Sequence, residues 1–141
     1  MNKLDAIKNK FLEVDKAILE GIQKAFVDND SIVEDLNIEQ LDNGKRSDGV
    51  ILPDYSPVSV EVYGKPEGPI KLKDTGAFRR GISVKIDDSR AELVGKDSKT
   101  QMLKDDYGDE IIGLSEESTS EFQNDYIRPS IHESLTDLFN D

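Results

Sequence analysis

Phe78-Arg79-Arg80-Gly81-Ile82-Ser83-Val84-Lys85-Ile86-Asp87-Asp88-Ser89-Arg90-Ala91-Glu92-Leu93-Val94-Gly95 is the stretch that decides the fold class. Phe78, Ile82, Val84 and Ile86 share one parity, interrupted by Arg80, while Arg79, Ser83, Lys85 and Asp87 hold the other. A strand sends alternate side chains to opposite faces, so the pattern predicts a strand with one buried and one wet face. Asp87-Asp88-Ser89 turns the chain, and Ala91, Leu93 and Gly95 then alternate with Glu92 and Val94. The spacing predicts an antiparallel hairpin within residues 77–95.

Upstream, the period changes from two to between three and four. Leu4, Ile7, Phe11, Val14, Ile18, Ile22 and Ala25 fall on one stripe, opposite Lys3, Lys8, Lys10, Asp15, Lys16, Glu20 and Lys24. This predicts an amphipathic helix over residues 3–27. Asp28-Asn29-Asp30-Ser31 ends it, because these side chains compete for backbone hydrogen bonds, and a second helix over 32–41 follows. The near-heptad spacing would suit another helix, including one from a neighbouring subunit. Gly21 falls where a heptad wants an apolar residue, which favours a helix lying on its own sheet.

Residues 42–70 hold Asn43-Gly44, Asp48-Gly49 and four prolines, and read as an irregular arm. Val58, Val60 and Val62 alternate with Ser59, Glu61 and Tyr63, which predicts a strand inside it; a flexible arm wrapping a neighbour is the other reading. Strands are expected within residues 71–115. Ile111-Ile112-Gly113-Leu114 then leads to Ser115 as a helix N-cap, with Glu116 and Glu117 in the first turn. Phe122, Tyr126, Ile127, Ile131, Leu135, Leu138 and Phe139 supply the stripe of a C-terminal helix over 115–140. Pro129 requires that helix to kink or to restart with the proline in its first turn. The expected architecture is one α+β domain spanning residues 1–141: a helical part over 3–41, the arm, a small antiparallel sheet and the final helix.

The composition limits the partners. Apolar residues make up 35% and charged residues 34% of the chain, and the net charge is −12. Such a surface repels phosphate and anionic lipid, so bulk binding to nucleic acid or membrane is not expected. Residues 64–90 are the exception, with seven basic and four acidic residues: Lys65, Lys71, Lys73, Arg79, Arg80, Lys85 and Arg90 form a basic island. It is either a docking patch for an acidic neighbour, including another copy, or a solvated face. There is no cysteine, which excludes disulfides and thiolate chemistry. The start of the chain lacks the apolar stretch of a signal peptide, and no segment approaches the roughly 20 apolar residues needed to span a bilayer, so a soluble protein that stays where it is made is expected.

Motifs for chemistry fail one by one. His132 is the single histidine and has no nucleophile near it in sequence. Gly44-Lys45-Arg46-Ser47 departs from a phosphate loop twice, at Glu39 and at Arg46. The acidic groups at Asp28/Asp30, Asp42/Asp48 and Asp105/Asp106/Asp109/Glu110 do not follow the order of a calcium loop. The sequence therefore predicts no catalytic residue, no cofactor and no metal ligand set.

Three stretches carry a resemblance. They are Gln40-Leu41 through Gly44 with Ser47-Asp48-Gly49 and Tyr55-Ser56; Leu72-Lys73-Asp74-Thr75-Gly76-Ala77-Phe78-Arg79-Arg80-Gly81-Ile82; and Tyr107-Gly108-Asp109-Glu110-Ile111-Ile112-Gly113-Leu114-Ser115. Together they resemble tailed-bacteriophage virion morphogenesis, tail-completion and head–tail connector (neck) proteins. The resemblance covers roughly residues 38–141. It implies a non-enzymatic structural protein of the virion, made and assembled in the host cytoplasm. It would dock to the portal complex, the tail and copies of itself in a ring, with DNA at most passing through the lumen. Asp74, Thr75, Gly76, Phe78, Arg79, Arg80, Gly113, Leu114 and Ser115 are the structural and assembly candidates. Asp-Thr-Gly also occurs in aspartic proteases, but only one such loop is present here, without their flanking apolar strands. Locally, Asp74 or Thr75 can bond the backbone two residues on and Gly76 permits a positive φ, making a corner that aims Phe78 inward. A small acidic binding or inhibitory module that mimics nucleic acid is the alternative from another class.

Overall fold

The computed structural model describes residues 2–87 and 90–140. It is an α+β domain with a long N-terminal helix, a two-stranded antiparallel sheet and a C-terminal helix. Helix α1 spans Lys3–Asp28 and α2 spans Asp30–Asp42. The Asn2 side chain caps α1 by accepting from the Asp5 N–H at 2.8 Å. On α2, Val33, Leu36, Asn37, Gln40 and Leu41 are buried, a stripe at helical spacing that faces the sheet and the loop before the last helices.

The hairpin takes the register that alternation requires. Strands β1 (Ile82–Ile86) and β2 (Ala91–Gly95) pair Ile82 with Gly95, Val84 with Leu93 and Ile86 with Ala91. The expected turn through Asp88 and Ser89 lies outside the described residues. At the edge of that turn the Asp87 N–H donates to the Arg90 carbonyl at 3.0 Å. Ile82 belongs to one apolar cluster, with Leu41, Leu52, Leu72, Phe78, Ile111 and Ile112. Val84 packs on a second, built on Val33, Leu36 and Phe122, and Leu93 touches both.

Three expectations about strands need correction. Val58, Val60 and Val62 are not in a strand: Pro57–Tyr63 is a helix, α3. Ser56 accepts from the Ser59 N–H at 3.1 Å, Pro57 stands in the first turn and Gly64 ends the helix with φ +68°. Those local signals outweigh the alternation, and Val58 and Val62 remain exposed. Phe78 likewise lies on a single helical turn, α4 (Ala77–Arg80), before the strand rather than in it. Within 71–115 the structure also forms helix α5 (Thr100–Tyr107) and a 3₁₀ turn at Asp109–Ile111 where strands are expected. Residues 42–70 are tied to the body by Leu52 in the first core, by the Tyr55 N–H to the Gly68 carbonyl at 3.0 Å and by the Ile70 N–H to the Pro53 carbonyl at 2.9 Å.

The final helical run begins as expected at Ser115, whose Oγ accepts from the Ser118 N–H at 3.1 Å. Helix α6 (Glu116–Phe122) widens into a π-helical turn at Gln123–Ile127, and α7 (Arg128–Asn140) restarts with Pro129 as its second residue. The wider turn accommodates the amide that proline lacks.

Helix α1 lies mainly along α7 and only its later part touches the sheet, whereas the sequence favours a helix lying on the sheet. A Cβ on Gly21 would sit 2.8 Å from the Ile131 Cα, and Ser130 Oγ donates to the Gly21 carbonyl at 2.7 Å. Gly21 breaks the apolar repeat because the two backbones touch there. The pair is antiparallel, since Lys10 lies over the Phe139 ring while Gly21 meets Ile131. Gly21→Ala would add about 1 kcal/mol of helix propensity, but the new methyl meets backbone that cannot turn aside. A net loss of about 1–2 kcal/mol is expected in urea unfolding. A stabilised variant would mean the helices can part without cost.

Candidate assembly surface

The nine motif residues divide between two places, both next to the first core, with Leu114 reaching the second. Around Asp74-Thr75-Gly76 the chain forms the expected corner. Thr75 Oγ1 accepts from the Ala77 N–H at 3.2 Å, and Gly76 adopts φ +78°. The following turn delivers Phe78 into the core at 5% exposure. A Cβ at Gly76 would lie 2.5 Å from Arg80 Nη1, which with Nη2 donates to the Thr75 carbonyl at 3.4 Å.

Arg79 departs from the basic island as either a docking patch or a solvated face. It is buried, with Nη1 donating to Asp42 Oδ1 at 2.6 Å and Nε and Nη2 donating to the Lys71 carbonyl at 3.2 and 2.7 Å. One guanidinium thus ties α2 to the segment leading into the corner. Arg79→Met keeps the apolar stem and removes these bonds. The half-exposed Asp42 can rehydrate but the Lys71 carbonyl loses its donor, so about 1–3 kcal/mol should be lost in urea unfolding.

Asp74 is exposed and accepts from Lys65 Nζ at 2.9 Å, a bond that holds its carboxyl below the usual range. Asp48, held by Arg46, is lowered in the same way. A carboxyl that is more acidic folded than unfolded contributes stability above its unfolded pKa of about 3.9 and loses it as the pH falls through the folded value. Asp74→Asn should therefore separate from the parent in thermal melts at pH 6, and the gap should narrow as the pH falls below the unfolded pKa and through the lower folded one. A gap independent of pH would rule out this cause.

The second place is the loop Ile111–Ser115. The Gly113 N–H donates to Asn37 Oδ1 at 2.9 Å, and Asn37 Nδ2 donates to the Ile111 carbonyl at 3.0 Å. Gln40 repeats the arrangement one turn later, with Nε2 donating to the Gly113 carbonyl and Oε1 accepting from the Ser115 N–H, both at 2.8 Å. Leu114 packs on the second core. Ser115 borders a groove between α2 and α6, while Asp74, Thr75, Gly76 and Phe78 border another with Tyr55, Lys65 and Tyr107. The motifs therefore do not form one site; they share a core and face different grooves. Asn37 lies outside the resembling stretches, and no sequence signal distinguished it from other polar residues.

His132 is exposed on α7. Among the described residues, no three or more His, Asp or Glu side chains are arranged to hold a metal ion, and no helix is long and apolar enough to cross a membrane. Large apolar side chains are exposed instead at the start of α1: Leu4 at 73%, Phe11 at 68%, Leu12 at 59% and Ile7 at 46%. The expected stripe is thus only half covered, by α7 along its later part. No protein family, curated protein or solved structure matches this chain.

Proposed function

We propose that this chain is a structural virion protein of a tailed bacteriophage, a neck (head–tail connector) or tail-completion component. It acts by assembly with the portal complex, the tail and neighbouring copies. The observation that carries this reading is the uncovered apolar start of α1, since several large apolar side chains left exposed on one helix end mark an interaction surface. The resemblance of residues 38–141 to such proteins supplies the class. Its motif residues act here as framework: Thr75 and Gly76 form the corner, Arg79 ties it to α2, and Ser115 starts the last helices. In the virion, the acidic surface would suit the wall of a DNA conduit, because phosphates pass such a wall without sticking.

The test begins with the genes flanking the coding sequence, where portal, capsid and tail genes are expected. The purified chain should then co-sediment with the portal complex those genes encode, at a ring's stoichiometry. A chain that stays monomeric, ignores the portal and inhibits a basic nucleic-acid enzyme would overturn the reading in favour of an acidic mimic. A basic lumen with the acidic surface turned outward would remove the conduit argument.

A further inference from the structure

We infer that the protruding start of α1 seats in the acidic groove between α2 and α6 of a second copy of this chain. This names the contact for the assembly proposed above and rests on that reading. Lys10 Nζ reaches the Phe139 ring at 4.7 Å, close to the end of α7, so residues 3–9 extend about 10 Å beyond that contact. That end carries Leu4, Ile7, Phe11 and Leu12 exposed, with Lys3 and Lys8 beside them, Asp5 as the acidic residue, and Lys10 paired with Glu13 at 3.4 Å. It is an apolar helix end with a local positive charge, on a chain whose net charge is −12.

The groove is its counterpart. It encloses about 790 Å³, is lined by Glu39, Glu116, Glu117 and Glu121, and has Leu36 among its walls. Two cations also border it, Lys45 and Arg46, but Arg46 is already bound to Asp48. Glu39, Glu116, Glu117 and Glu121 are exposed. An amphipathic helix laying an apolar face into a groove is a recurring mode of recognition, and opposite charge selects its partner. A face-to-face pairing of two α1 ends would set lysines against lysines, whereas end-into-groove pairing joins opposite signs. Each copy carries one helix end and one groove, so the contact joins two different surfaces and can repeat head-to-tail. Such contacts close into rings or extend as filaments.

Charge exchange tests this. Sedimentation velocity of the full chain at low salt should show mass rising with concentration, and about 1 M salt, where screening acts within about 3 Å, should weaken that rise. Lys3→Glu/Lys8→Glu and Glu39→Lys/Glu121→Lys should each sediment as monomers with unchanged circular dichroism. Mixing the two variants should restore association, and combining all four substitutions in one chain should restore self-association. Association that survives both reversals would overturn this contact while leaving the assembly reading standing. A parent chain that stays monomeric at every concentration and also fails to join the portal complex would sink both. Binding to anionic vesicles that Lys3→Glu/Lys8→Glu abolishes, without self-association, would assign the helix end to a membrane surface instead.

Discussion

Phe122→Ala is expected to remove about 3–5 kcal/mol of stability, a large part of the roughly 5–15 kcal/mol that holds a typical domain together. Phe122 is 2% exposed and forms the second core with Val33 and Leu36. Its ring lies 5.0 Å from that of Phe26 and 5.3 Å from that of Tyr126, so one side chain joins α1, α2 and the widened turn before α7. The neighbours are anchored on three different segments and cannot collapse together into the space left behind. The cost should therefore include the cavity as well as the lost burial. In urea the midpoint should fall with the slope unchanged; a shift worth less than about 1 kcal/mol would mean that this core is already loose.

Asn37→Asp is expected to cost about 3–5 kcal/mol at pH 7, more than Asn37→Ala at about 2–4 kcal/mol. Asn37 is fully buried and serves one acceptor and one donor of the same loop, the Ile111 carbonyl and the Gly113 N–H. Alanine leaves both unpaired. A carboxylate keeps the bond from Gly113 but turns a second oxygen on the Ile111 carbonyl and buries a charge. Burial raises the pKa of such a carboxyl, so the folded variant binds a proton more tightly than the unfolded one. The deficit of Asn37→Asp, measured against the parent at equal pH, should therefore shrink as the pH falls from 7 to about 5. A constant deficit would show that water reaches the site.

These two residues also mark how far the sequence could be read. The hairpin register was legible because a period of two leaves one solution for Ile82, Val84 and Ile86 against Ala91, Leu93 and Gly95. The Ser115 cap and the Thr75-Gly76 corner were legible because each acts on backbone within three residues. Asn37 and Gln40 were not, since their partners lie 73 to 76 residues away and a polar residue on an apolar stripe does not announce its acceptor. Helix α5 has only Met102 and Leu103 at its middle, too few apolar positions to show a period. The valines of α3 show the reverse error, an alternation that local capping overrode. Of the motif residues, Arg79 was the least legible, because a buried guanidinium and a solvated one look alike until Asp42 is seen beside it. The uncovered start of α1 could not be foreseen, because a stripe does not say where its partner helix stops.

The close contact of Gly21 with α7 has a consequence for the order of events during synthesis. The Gly21 carbonyl meets its partner Ser130, 109 positions later in the numbering. At the usual pace of translation, about 5–20 residues per second, α1 leaves the ribosome about 5–20 s before the strip of α7 that covers it. During that interval the part of its apolar side that α7 will cover is open, and it belongs to whichever surface reaches it first. A nascent chain in that state is a natural client for a holding chaperone. It can also exchange helices with a neighbouring nascent chain, so α7 of one molecule closes on α1 of another.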